Sequence, residues 1–96
     1  MNMLFKIGGP AVLEQTAEEC AEMAKAALKL ARKMRGENPT PKTEEELRAH
    51  LNEEIADVKV CIRALLNGGV IDSHLITLIM REKQERWENR LAEDGK

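Results

Sequence analysis

Two groups of carboxylates are the residues in this chain most able to do chemistry. Glu18, Glu19 and Glu22 occur together, and so do Glu53, Glu54 and Asp57. Each group contains a pair three positions apart, Glu19 with Glu22 and Glu54 with Asp57. Residues spaced in this way share one face of a helix, so each pair can turn its oxygens toward a single ion. An all-oxygen donor set suits a hard cation, Mg2+ or Mn2+, better than zinc. Di-iron bundles use Glu-x-x-His, and neither His50 nor His74 has a glutamate three positions before it. Later in the chain Lys83, Arg86 and Arg90 recur at helical spacing. Arginine grips phosphate through two parallel hydrogen bonds and lysine acts on it as a point charge. Carboxylates that hold a metal, with cations nearby, form the combination that neutralises a polyphosphate.

Helices must position these groups. From about Ala11 to Arg35 the chain has no Gly or Pro and is rich in Ala, Leu, Glu and Lys, all strong helix formers. At ~100° per residue, Leu13, Ala17, Cys20, Ala24, Ala27, Leu28 and Ala31 fall in one arc. Its alanines let a neighbouring helix approach closely. The stretch 36–42, with one glycine and two prolines, reads as a loop. Thr43 followed by Glu46 is the signature of a capping box. The second helix runs from there to about Leu66, with Leu47, Leu51, Ile55, Val58, Ile62 and Leu65 on one face, and Gly68 and Gly69 end it. Asp72 is the expected N-cap of a third helix, and Ile71 and Ile76 stand at the spacing of a hydrophobic staple. That helix continues through Leu75, Ile79, Lys83, Trp87 and Leu91, and the last residues, 93–96, are expected to fray. The expected architecture is all-α: a single domain over 1–96, with its core at about 8–92, built as a three-helix protomer that completes its bundle with a partner.

The placement of the acids carries more weight than their number. On the second helix Glu54 falls between Val58 and Cys61, inside the apolar arc, and Asp57 falls just beyond Cys61. On the first helix Glu19 lies at the edge of the apolar arc, next to Met23 and Leu30. Glu18 and Glu53 point away from the arcs. An ionised carboxylate on an apolar face is costly unless it is paired or metal-bound, and like charges three residues apart repel. A sequence that accepts both costs on two successive helices calls for a cation. His50, one turn before Glu54, is placed to support it.

Composition narrows the remaining choices. The 96 residues fit one domain, and a chain this short buries a small share of its surface, so self-association is expected. With one Phe, one Trp and no Tyr, the core must be aliphatic. A net charge of −2 argues against a nucleic-acid binder. Cys20 and Cys61 lie in helical apolar patterns without metal or redox spacing and read as reduced, buried thiols. No apolar run reaches the ~18 residues of a membrane span, and residues 1–10 lack the apolar segment of a signal peptide. The expected location is the cytoplasm.

The run Glu18-Glu19-Cys20-Ala21-Glu22, followed by Glu54-Ile55-Ala56-Asp57, resembles the EExxE…ExxD signature of the all-α NTP pyrophosphatases, and the chain looks most like their MazG-like members. Gln15 before the first motif, the sequence His50–Val58 around the second and Lys83-Gln84-Glu85-Arg86-Trp87 extend the likeness across roughly residues 8 to 92. The 31 residues between Glu22 and Glu54 include the Pro-containing loop, which absorbs the length. Carried onto this chain, the resemblance implies Glu19, Glu22, Glu54 and Asp57 as Mg2+ ligands and Glu18 as an outer ligand or water-activating base. It implies Gln15, Lys83, Arg86 and Arg90 as substrate-binding groups. It further implies hydrolysis of a nucleoside or deoxynucleoside triphosphate to monophosphate and pyrophosphate by a homodimer or homotetramer. Trp87 and Phe5 are the aromatics available to stack on a base, although Trp87 better suits packing or an interface. Two other readings fit the same residues: a non-catalytic helical interaction or regulatory module, and the same chemistry on a specialised substrate such as phosphoribosyl-ATP.

Overall fold

Gly36 and Thr43 stop one helix and start the next. Gly36 adopts a left-handed conformation, with φ 72°. Its N–H donates to the Lys33 carbonyl and the Glu37 N–H donates to that of Arg32, the paired bonds of a Schellman stop. Arg32, Lys33 and Arg35 stand in the helix's last turn, where its dipole favours cations. At Thr43 both bonds of the capping box form: the Glu46 N–H donates to Thr43 Oγ1 and the Thr43 N–H to Glu46 Oε1, each at 3.1 Å. Glu44, Glu45 and Glu46 then fill the first turn, the end of the helix dipole that favours anions.

The computed structural model describes residues 3–37 and 40–95 and leaves the side chains of Met3 and Phe5 undescribed. The proposed stacking role of Phe5, the Asn38-Pro39 step of the expected loop and the frayed position of Lys96 lie outside the described residues. Within them the chain is all-helical: α1 (Met3–Ile7), α2 (Gly9–Arg35), α3 (Glu44–Asn67) and α4 (Ser73–Asp94). The three long helices match the expected ones, with α2 beginning two residues earlier because Pro10 is tolerated in a first turn. The short α1 has no counterpart in the sequence reading, because the Gly8-Gly9-Pro10 punctuation hides a five-residue turn before it.

α2 and α3 form an antiparallel hairpin. Val12, near the start of α2, packs with Ala64 and Leu65, near the end of α3, and Leu4 and Ile71 close over that cluster. Along the hairpin Ala26, Leu30, Leu47, Val58 and Cys61 are buried as well. Burying each of the larger aliphatic side chains contributes roughly 1.5–3 kcal/mol. The expected face of α3 is the one that packs, although Leu51 and Ile55 are half-buried and Ile62 is 37% exposed at its shoulder.

α2 differs from expectation. Its packed face carries Val12, Ala26 and Leu30, with Thr16, Glu19 and Met23 half-buried. The arc expected to be buried is open instead: Leu13, Ala17, Cys20, Ala24, Ala27 and Leu28 are exposed, and only Ala31 is half-buried. This helix holds two rival apolar stripes, and the one with the larger β-branched and unbranched side chains faces α3. Cys20 is therefore an exposed thiol and Cys61 a buried one.

α4 leaves the hairpin at a fixed joint. Gly69 is left-handed at φ 74°. Its N–H donates to the Leu66 carbonyl and the Val70 N–H to that of Leu65, a second Schellman stop. Ile71 is anchored in the core cluster, and Asp72 Oδ1 caps α4 by accepting from the Leu75 N–H at 3.0 Å. No residue of α4 is buried. The radius of gyration is 17.1 Å, against about 12.5 Å for a compact domain of this length, so α4 projects away from the hairpin.

Candidate metal centre

The hairpin brings acids of its two helices together. On α2 the packed face is centred near Val12 and Leu30, and Glu19 lies about 20° from that centre by the ~100° rule. Glu19 therefore points toward α3. On α3, Glu54 lies within the packed arc and Asp57 at its edge. One carboxylate oxygen from each of Glu19, Glu54 and Asp57 converges, and these three atoms lie within 4.8 Å of one another. Glu19 and Glu54 are half-buried and Asp57 is exposed, so the cluster opens to solvent on one side.

Neighbouring groups steady two of the three. Gln15, one turn before Glu19, donates from Nε2 to Glu19 Oε1 at 2.7 Å. His50 Nε2 lies 3.7 Å from Glu54 Oε1, and the Glu54 side chain is only 14% exposed. The sequence offers His50 either as a partner of Glu54 or as an ordinary boundary histidine, and its imidazole stands beside that carboxylate. Gln15, which the resemblance implies as a substrate-binding group, here bonds the carboxylate one turn on.

Other expected members stand apart. Glu22 lies further round α2, 54% exposed, and pairs with Lys25 Nζ at 3.5 Å. Its spacing from Glu19 puts both on one side of the helix, but only the residue nearest the centre of the packed face reaches α3. Glu18 is exposed. Its side chain makes no hydrogen bond or ion pair with the described residues, and neither do those of Lys83 and Arg90. Lys83, Arg86 and Arg90 do gather, lining with Trp87 a concavity of about 290 Å³ on α4. Arg86 reaches Glu82 at 3.9 Å. A second concavity of about 500 Å³ runs along the same helix beside Met80, Lys83, Gln84, Trp87, Glu88 and Leu91. All of its lining comes from one helix, so it is a helix face rather than an enclosed ligand site. Within one protomer these cations face solvent on α4 and stand apart from the acid cluster.

Three negative groups this close repel one another. At 4.8 Å a pair costs about 1 kcal/mol in a water-like dielectric and about 3 kcal/mol at an effective constant of 20. A divalent cation converts that repulsion into attraction. The oxygen-only donors, drawn from two helices and open on one side, suit a hard ion that keeps water or phosphate oxygens among its ligands. Among the described residues no helix is long and apolar enough to cross a membrane. Comparison of the chain with models of protein families, with curated proteins and with solved structures gave no match.

Proposed function

We propose that this chain is a MazG-like nucleotide pyrophosphohydrolase. It hydrolyses nucleoside or deoxynucleoside triphosphates to the monophosphate and pyrophosphate with Mg2+, in the cytoplasm, as a homodimer or homotetramer. The observation that carries the reading is the convergence of Glu19, Glu54 and Asp57 from two helices to within 4.8 Å, at the positions of the EExxE…ExxD pattern. Glu19 and Glu54 are half-buried and all three like charges repel at that spacing without a cation, which supports a metal-binding role over a solvated acidic face.

In this reading Glu19, Glu54 and Asp57 hold the ion, with Glu22 as an outer ligand released from Lys25. Mg2+ held by these residues would supply polarisation of phosphate oxygens and activation of water. The chain's own groups do the rest. Gln15 and His50 keep two of the ligand carboxylates aimed at the site. Glu18, exposed and unpaired among the described residues, accepts the proton of the water that attacks phosphorus. Lys83, Arg86 and Arg90, which stand apart from the acids within one protomer, are the cations available to phosphate oxygens.

The test is incubation of the full chain with a panel of NTPs and dNTPs plus Mg2+, with products resolved by ion exchange. Monophosphate and pyrophosphate, abolished by EDTA and by Glu54→Gln, are expected. Unchanged hydrolysis in a Glu54→Gln protein that keeps its helical circular dichroism would refute the assignment of the metal site.

A further inference from the structure

Two apolar surfaces of this protomer lie bare, and they differ in grain. One runs along α2 through Leu13, Ala17, Cys20, Ala24 and Leu28, all exposed, with small side chains between the two leucines. The other is the seam of α4. Ile76, Met80, Trp87 and Leu91 recur at spacings of four, seven and four, close to the alternation that seats one helix against others. They are 36%, 63%, 65% and 58% exposed. The chain exposes 7686 Å², whereas a compact protein of 10.8 kDa exposes about 5,500 Å². The excess, roughly 2,100 Å² per chain, is well above the ~800 Å² that each partner contributes to a standard specific interface.

We propose that α4 is exchanged between two copies of this chain, the α4 seam of each seating on the alanine-lined face of the other's α2. The proposal rests on the self-association stated above and assigns its surface. The joint is the first reason. The Schellman bonds at Gly69 and Val70, the burial of Ile71 and the Asp72 cap fix the direction in which α4 leaves, so the helix does not fold back onto its own hairpin. Shape is the second reason. Met80 and Trp87 are large and Ala17, Cys20 and Ala24 small, so knobs of one surface meet the low stretch of the other. Charge is the third. Pairing α4 with α4 would bring Lys83 and Arg90, which flank the seam, against their own copies. Pairing hairpin with hairpin would leave Trp87 and Met80 in water. The α2 face spans roughly 100–180° around that helix from Glu19, so the exchange leaves the acid cluster open to solvent.

The test begins with light scattering of the full chain at micromolar concentration. A mass near twice 10.8 kDa is expected, falling to the monomer mass in Met80→Glu/Trp87→Glu and, independently, in Ala24→Arg. A second measurement does not depend on how those variants fold. The unmodified chain is mixed with chains that carry Cys20→Ser together with Met80→Cys, Gln84→Cys or Trp87→Cys in turn, and oxidised with copper–phenanthroline. At least one mixture is expected to give a disulfide between Cys20 of the unmodified chain and the thiol introduced on α4 of the other. A monomeric unmodified chain overturns self-association and the exchange together. A dimer that survives Met80→Glu/Trp87→Glu, or one that cross-links only Cys20 to Cys20, overturns the exchange alone. Absence of hydrolysis in a dimer that cross-links as expected overturns the enzymatic reading and leaves the exchange standing.

Discussion

Replacing Glu54 by Gln should change stability in opposite directions with and without metal. Glu54 has two like-charged neighbours, Glu19 and Asp57, with oxygens within 4.8 Å. Asp57 is exposed and Glu19 half-buried, so the water-like end of the range applies, about 1 kcal/mol for each pair. The contact with His50, at 3.7 Å and with the imidazole 42% exposed, returns only a few tenths of a kcal/mol. Without divalent ions, Glu54→Gln should therefore stabilise the fold by roughly 1–2 kcal/mol. That raises the melting temperature by about 5–10 °C for a domain of this size. With millimolar Mg2+ the order should reverse, because the unmodified chain gains RT ln(1 + [L]/Kd) from binding and the variant gains little. The assay is thermal unfolding followed by circular dichroism at one protein concentration, in EDTA and in a Mg2+ series. A variant that melts below the unmodified chain in EDTA, together with an unmodified chain indifferent to Mg2+, would refute the argument that these three carboxylates form one repelling, cation-seeking cluster.

Three further outcomes follow from the fold. Leu65→Ala, at a site 3% exposed in the cluster under Leu4 and Ile71, should cost about 2–5 kcal/mol in urea unfolding, and a loss below 1 kcal/mol would mean that the cluster does not anchor the hairpin. Gly69→Ala places a side chain at φ 74° and should cost about 1–2 kcal/mol by the same measurement; no loss would argue against the second Schellman stop. The hydrogen bond that Glu46 accepts from the Thr43 N–H, helped by the Thr43 hydroxyl, holds its carboxyl below the ordinary glutamate value. A depressed folded-state value gives stability that is present above the unfolded value and lost as pH falls through the folded one. Glu46→Gln should therefore narrow the drop in urea midpoint between pH 7 and pH 3, and an unchanged drop would count against the capping box as its source.

Most of the hairpin is legible in the sequence because its signals are local. Thr43 with Glu46, Asp72, Gly36 and the Gly68-Gly69 pair act through bonds to residues a few positions away, and each appears as its residue type implies. The packed face of α3 is legible too, since its aliphatic residues leave one choice. α2 is harder to read. Alanine contrasts weakly with its surroundings, so the stripe through Leu13 and Ala24 competes with the one through Val12 and Leu30, and packing against α3 selects the second. The direction of α4 depends on how Ile71 seats against Val12, Ala64 and Leu65, a long-range contact that no periodicity encodes. In the site, Glu54 and Asp57 are legible from their angles to the α3 core, whereas Glu19 is placed by its neighbours Met23 and Leu30 and not by the α2 arc expected to pack. Glu22 stands outside the converging three, since sharing a side with Glu19 does not bring it to the neighbouring helix and it pairs with Lys25.

The position of Leu4 has a practical consequence. Its side chain covers the same cluster that anchors Ile71, and it lies against Gly68, where an added Cβ would collide with it. The first turn of the chain thus wedges the corner from which the last helix departs, although some sixty residues separate them in sequence. An affinity tag or fusion placed at the N-terminus therefore loads that corner, whereas one placed after Asp94 leaves it untouched, so the C-terminal end is the better handle for purification and labelling.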